Sequence, residues 1–273
     1  MTQATLKTGL MAGKRGLIMG VANDHSLAWG ITKGLAAQGA EIAFTFQSEA
    51  LERRVRPLAH SLGFDFLIPC DVNKEGDINR TFSTLKEKWD KIDFVVHAIA
   101  YADKEELKGK YADTSRRNFL NALDVSCYSF TETCREASKL MTEGGALITL
   151  TYHGAQRVMP HYNVMGVAKA ALEASVRYLA VDLGGQNIRV NAISAGPLKT
   201  LASSAIGDFR YIMQWCQYNS PLKRNTTLED VSGAGVYLLS NLSSGVTGEI
   251  HHVDSGYHVV GMKSVDAPDI SIV

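Results

Sequence analysis

Short runs of apolar residues alternate along this chain with longer stretches whose apolar positions recur at helical spacing. The runs Gly16–Met19, Glu41–Phe46, Asp65–Ile68, Asp93–Val96, Ala146–Leu150, Ile188–Ile193 and Gly248–Val253 predict seven strands. Most are near-continuous in Val, Ile, Leu and Phe rather than alternating, as strands buried on both faces are. Helix-length segments separate them, so the strands run parallel and their crossovers cover both faces of the sheet. The expected fold class is α/β, a doubly wound parallel sheet of about seven strands. No internal repeat, low-complexity tract or Pro/Ser-rich linker divides the chain, so residues 1–273 are read as a single domain.

Composition narrows the partners. Lys+Arg and Asp+Glu both number 28, so no net field draws the chain to nucleic acid or to an anionic membrane. The ligand is therefore small, or recognised locally. Cys70, Cys127, Cys134 and Cys216 are scattered, with no C-x-x-C pair. The N-terminus carries Lys7, and its apolar stretch is broken by Gly13-Lys14-Arg15, so no secretory signal forms. No run reaches the roughly 18 apolar residues of a membrane span. These features predict a reduced, cytoplasmic protein. The eight histidines include no H-E-x-x-H pattern, and His251-His252 on a strand would face opposite ways, so no metal site is expected.

Candidate chemistry sits at the ends of the predicted strands. Strand one runs into Gly20-Val-Ala-Asn-Asp-His-Ser26-Leu27-Ala-Trp-Gly30, followed by a helix that ends near Gln38-Gly39. Glycines after a first strand let backbone N–H groups approach a pyrophosphate at a helix N-terminus, although a hydroxyl, Ser26, replaces one expected glycine. Taken alone, the same residues also fit an ordinary turn. Strand two ends at Gln47, where such a βαβ unit presents a group to the adenosine ribose. Gln47 can bond ribose hydroxyls but offers no charge to a 2′-phosphate, which favours NADH over NADPH, although Arg53 and Arg54 follow in the next helix. Asp71-Val72, after strand three, can hold the adenine edge or simply occupy a solvated loop.

Tyr162 and Lys169 are seven residues apart, with Tyr152 ten residues upstream of Tyr162. On a helix, i and i+7 share a face, so a phenol and an ammonium would stand two turns apart. The ammonium is expected to lower the phenol's pKa and make it a better proton donor, although the pair taken alone fits better a surface Lys and a half-buried Tyr that happen to align.

Together with Asn191-Ala-Ile-Ser-Ala-Gly-Pro197, these motifs resemble those of the short-chain dehydrogenase/reductases, and so imply a Rossmann-type fold. Ordinary members separate Tyr and Lys by three residues and place a Ser thirteen before the Tyr; here six intervene, and that position is Thr149. Tyr152, Tyr162 and Lys169 instead resemble the divergent branch, the bacterial enoyl-acyl-carrier-protein reductases of type II fatty-acid synthesis. The similarity runs from about Gly13 to Met262. It implies hydride transfer from NADH to the β-carbon of a trans-2-enoyl thioester, with charge appearing on the thioester oxygen several bonds away. If Lys169 stays at the nicotinamide ribose, the longer spacing moves Tyr162 by most of a helical turn of roughly 5.4 Å.

By this resemblance Tyr152, Tyr162 and Lys169 are the catalytic residues, and Tyr152, Tyr162 and Ala102 contact substrate. The cofactor residues are Gly20, Ser26, Leu27, Gln47, Asp71, Val72, Ile99, Lys169 and Leu198-Lys199-Thr200-Leu201-Ala202. Ala100 and Tyr101 depart from the family's usual Gly and Phe. The segment near 198–216 is expected to act as a substrate lid, with a short amphipathic helix between Leu201 and Trp215, and Met159 and Pro160 to add to the pocket wall. The implied partner is an acidic acyl carrier protein, met by basic residues such as Lys199, Arg210 or Lys223, and the implied assembly is a homotetramer. A 3-oxoacyl reductase of the same fold and a non-catalytic NAD-binding regulator are the competing readings.

Overall fold

The computed structural model describes residues 9–201, 203 and 206–270. Seven parallel strands form one sheet: β1 (Arg15–Met19), β2 (Glu41–Phe46), β3 (Leu67–Pro69), β4 (Phe94–His97), β5 (Gly145–Thr151), β6 (Ile188–Ala195) and β7 (Ile250–Val253). Their order across the sheet is β3-β2-β1-β4-β5-β6-β7. The chain thus winds outward from β1 to one edge, returns, and winds outward from β4 to the other. The reversal leaves a crevice between the carboxyl ends of β1 and β4, where Met19 is in register with His97.

The helices are α1 (Leu27–Ala37), α2 (Glu49–Ser61), α3 (Asp77–Lys88), α4 (Arg116–Leu123), α5 (Ser129–Ser138), α6 (Asn163–Gly184), α7 (Phe209–Asn219) and α8 (Leu228–Leu239). Alternate residues of the strands feed two cores. Leu17, Met19, Val95 and Leu147 pack with residues of α3, α5 and α6 on one face. Ile18, Phe44, Val96 and Ile148 pack with residues of α1, α2 and α8 on the other. Burial on both faces explains why the strands read as unbroken apolar runs. None of the described helices is long and apolar enough to cross a membrane.

Glycines bring α1 and α8 unusually close. A Cβ on Gly34 would lie 2.2 Å from Ser232 Oγ, one on Gly235 2.9 Å from Ile31 Cγ2, and one on Gly30 3.2 Å from the Leu228 carbonyl oxygen. The C-terminal helix is therefore keyed onto the first one.

Strand ends differ from the expected ones by up to two residues, and two elements show a physical cause. Strand β3 is Leu67–Pro69 rather than Asp65–Ile68. Asp65 is exposed, while Phe66 packs edge-on against Trp89 with ring centroids 5.3 Å apart. Pro69 fits because β3 is an edge strand, where a missing N–H costs least. Helix α7 begins at Phe209, not near Leu201, because Asp208 before it is left-handed at φ 53°. Ile206 therefore lies in a turn.

Candidate active site

Residues at the carboxyl ends of the strands meet along the crevice. Gly20 follows β1 at φ +100°, and a Cβ there would lie 2.1 Å from the Ala98 carbonyl oxygen. Backbone alone fits at this point, between the two central strands. The Ser26 hydroxyl accepts hydrogen bonds from the Ala22 and Asn23 amides at 3.0 and 3.1 Å. It also donates to Asn23 Oδ1 and makes no capping bond to α1. Its direct work is thus to shape the loop, leaving the first turn of α1 without a side-chain cap and open to an anion. Leu27, which opens α1, is half-buried against the core.

Gln47, just past β2, donates to Asp71 Oδ1 at 3.1 Å, across 24 residues of sequence. Asn73 adds bonds to the same carboxylate from its amide and side chain, both at 3.2 Å. Burial pushes the Asp71 carboxyl up, but these hydrogen bonds outweigh it and hold the pKa below the ordinary value. Val72 and Ile99 are half-buried against the core under this end of the crevice. On the far side, Leu198 packs against the opposite core and Lys199 and Leu201 are exposed. Thr200 and Ser203 close a turn, with the Thr200 amide donating to Ser203 Oγ at 2.8 Å and the Ser203 amide donating to Thr200 Oγ1 at 3.1 Å. Ala202 lies outside the described residues. Of the basic residues suggested for the mouth, Lys223 donates instead to the Tyr218 carbonyl and to Ser264.

The other half of the site is buried and largely apolar. Strand β5 delivers Tyr152, whose ring meets Tyr162 edge-on with centroids 5.1 Å apart and an interplanar angle of 75°. Tyr162 is only 8 % exposed. Leu107, Ala122, Val164 and Met165 form its apolar cluster, with Ala102, Phe119, Tyr152, Met159 and Ile206 packed around it. The expected substrate residues are thus brought together, except that Pro160 is exposed.

Tyr162 stands immediately before α6 as its cap residue, so the pair with Lys169 spans the helix start rather than two full turns. Lys169 is 6 % exposed, and its Nζ donates to the Leu150 carbonyl at 2.7 Å. Burial lowers its pKa to about 8. The expected lowering of the phenol's pKa by Lys169 does not occur. Burial pushes Tyr162 well up, and the Glu173 charge adds to the rise. Tyr152 is also pushed up, mainly by burial.

Glu173 and two glycines also shape the site, and none is among the expected residues. Buried Glu173 accepts from Thr151 Oγ1 at 2.8 Å and Gln156 Nε2 at 3.4 Å. A Cβ on Gly154 would sit 2.4 Å from Tyr162 Cδ1, and one on Gly166 2.8 Å from the Gly154 carbonyl oxygen. The available signal was Gly166 inside an otherwise helix-forming run, where glycine costs about 1 kcal/mol unless close packing requires it. Thr149 is occupied elsewhere: it donates to the His97 carbonyl at 3.1 Å, and its Oγ1 lies 3.3 Å from His97 Nδ1. His97 Nε2 is 2.8 Å from Ser129 Oγ, and burial, followed by the Lys169 charge, lowers the His97 pKa to about 3.

A backbone-lined crevice at the sheet's switch point, with a buried Tyr and Lys beside β5, is the arrangement of a short-chain dehydrogenase/reductase. Comparison with known proteins narrows the class. A family model described as enoyl-(acyl carrier protein) reductase matches residues 20–258. The enoyl-(acyl-carrier-protein) reductase (NADH) 1 of Rhizobium meliloti (strain 1021) is 65% identical over 266 residues, spanning 97% of this chain and 98% of its own. The crystal structure of the Anaplasma phagocytophilum reductase in complex with NAD matches with a TM-score of 0.92 at 61% identity, covering 97% of this chain and 100% of that one. That of the Bacillus cereus enzyme with NADP+ and indole naphthyridinone also matches with a TM-score of 0.92, at 50% identity, covering 93% and 100% of the two chains. The chain belongs to the enoyl-(acyl-carrier-protein) reductase family.

Proposed function

We propose that this protein reduces the trans-2 double bond of enoyl thioesters carried on acyl carrier protein in type II fatty-acid synthesis, with NADH as reductant. The observation that carries this reading is the buried Tyr152–Tyr162 pair, set in an apolar cluster with Ala102, Met159 and Ile206 beside the buried Lys169. The crevice suits a dinucleotide: Gly20 leaves room only for backbone, and Gln47 and Asp71 offer a carboxamide and a carboxylate to ribose hydroxyls. Gly20, Ser26, Leu27, Gln47, Asp71, Val72 and Ile99 would hold its adenosine and pyrophosphate. Lys169 and residues 198–202 would hold the nicotinamide half.

NADH, when bound, supplies the hydride that the β-carbon of the substrate receives. The double-bond electron pair then forms a new bond between the α-carbon and the carbonyl carbon, and the carbonyl π pair moves onto the thioester oxygen, giving an enolate. Tyr162 donates its O–H to that oxygen, and because burial raises its pKa it keeps the proton while charge develops. The low-dielectric surroundings strengthen the bond. A proton from solvent, taken up at the α-carbon, collapses the enolate to the saturated thioester and completes the chain. Tyr152 orients Tyr162 through the edge contact and walls the pocket. Lys169 orients the ribose.

Helix α7, with Ile206 before it, would cover the acyl pocket as a lid on a single-domain protein. A homotetramer accounts for apolar side chains left at the surface of α6, where Tyr178 and Val181 are 76% and 81% exposed. A cytoplasmic location suits the four free cysteines.

The test is oxidation of NADH, followed at its absorbance maximum, with an enoyl thioester and separately with a 3-oxoacyl thioester, repeated with NADPH. Turnover of the enoyl substrate with NADH is the expected result. Preference for the oxo substrate would establish the carbonyl-reductase reading instead, and NADH binding without turnover the regulator.

A further inference from the structure

Tyr162 is flanked by two residues with left-handed backbone, His161 at φ 55° and Asn163 at φ 36°. L-residues adopt that conformation where their surroundings impose it, and such residues cluster at functional sites. Each neighbour holds a different segment. Asn163 Nδ2 donates to the carbonyls of Leu107 at 3.0 Å and Gly109 at 3.3 Å, tying down the loop that follows β4. His161 Nε2 donates to Asp208 Oδ2 at 2.9 Å, across 47 residues of sequence. Asp208 is itself left-handed and stands directly before α7. Gly207 lies against the imidazole, where a Cβ would come within 3.1 Å of His161 Cγ.

Helix α7 is therefore held at both ends. Its C-terminal half is fastened to the end of the chain, with Trp215 Nε1 donating to the Tyr257 hydroxyl at 3.0 Å and the Ser264 amide donating to Asn219 Oδ1 at 2.9 Å. Its N-terminal end is fastened to the turn that carries Tyr162. Ile206, two residues before Asp208, packs in the Tyr162 cluster.

We propose that the His161–Asp208 pair is a latch that sets α7 and Ile206 against the acyl pocket. Both are positioning residues for substrate, acting through the segment rather than on the reacting atoms. The kinetic part of this inference rests on the enoyl-reductase reading, whereas the structural part does not.

The test compares the full-length wild type with His161→Gly, Asp208→Gly and the swap that combines His161→Asp with Asp208→His. Glycine keeps the positive φ and deletes the bond, while Asp and His both tolerate the left-handed region, so the swap can rebuild the pair. Hydrogen exchange is measured over residues 209–219, alongside steady-state kinetics with an enoyl thioester and NADH. In both glycine variants exchange over 209–219 accelerates. Their KM for the enoyl thioester rises roughly three- to fivefold, as loss of a part-exposed hydrogen bond implies, while kcat and the KM for NADH hold. The swap returns both readouts toward wild type. Unchanged exchange in both glycine variants overturns the latch, as does a fall in kcat with no change in KM. A wild type that does not reduce enoyl thioesters overturns the functional reading and leaves exchange to decide the latch.

Discussion

Gln47 and Asp71, at the ends of β2 and β3, lie near the surface and bond to each other, whereas Tyr162 and Lys169, beside β5, are all but sealed from solvent. The first pair can rearrange around a ligand at little cost, since water competes for every bond it makes. The second pair sits where burial raises the phenol's pKa and lowers the ammonium's. One end of the crevice is therefore suited to holding a cofactor by shape and exchangeable hydrogen bonds, and the other to acting on charge. Substitutions should be graded accordingly, severe near β5 and mild near β2, except where backbone itself lines the crevice.

Tyr162→Phe tests the contrast most sharply. Losing the donor to a developing oxyanion should lower kcat by roughly 10²–10³-fold. The KM for NADH should not move. Unchanged kcat would remove Tyr162 from the chemistry.

Gly20→Ala is the exception on the cofactor side. Its methyl would meet the Ala98 carbonyl oxygen at 2.1 Å, with φ at +100°. A stability loss of roughly 1–3 kcal/mol is expected, read from the urea midpoint. A wild-type midpoint would mean that β1 and β4 can part freely.

Lys169 gives a pH signature. Its pKa is about 8 in the fold against 10.5 for the ordinary side chain, so between those values the unfolded chain binds more protons. Stability contributed by this group should rise as pH climbs through that window, because the cost of burying the charge disappears. NADH affinity should change the opposite way, weakening above about pH 8 as the ammonium is lost. Lys169→Arg, charged throughout, should flatten both trends. Titration of NADH binding by fluorescence below and above pH 8 would expose a flat wild-type profile, which would sink the assignment.

Gln47→Ala should be the mildest change. One exposed hydrogen bond to Asp71 is worth about 0.5–1.5 kcal/mol, so the KM for NADH should rise less than about tenfold. A larger loss would show that the surface end of the crevice tolerates change no better than the buried one.

The seven strands were legible because burial on both faces removes polar residues from them, and a buried parallel strand leaves no other pattern. That Tyr152 and Tyr162 lie together was legible from the family resemblance, and that Lys169 stands on the helix Tyr162 opens was legible from their spacing. Contacts between distant segments were not: the bond from Gln47 to Asp71 and the Lys169 bond to Leu150 depend on strand order. The direction of the Tyr162 shift was misjudged for the same reason, since spacing reports Lys169 nearby but not how little water reaches either group. The start of α7 was obscured because Asp208 can occupy left-handed backbone without being glycine.

The glycine-lined contact between α1 and α8 governs how the chain must be made. Gly30 meets Leu228, a residue roughly 200 positions later. At ribosomal speeds of about 5–20 residues per second, some 10–40 s separate synthesis of the two surfaces. Throughout that interval the first helix has no partner for its small-residue face, and the apolar face of the growing sheet behind it stays partly open. A nascent chain that stalls before Leu239 thus presents a sticky, incomplete layer, and a chaperone that shields it until the last helix emerges would raise the yield of folded protein.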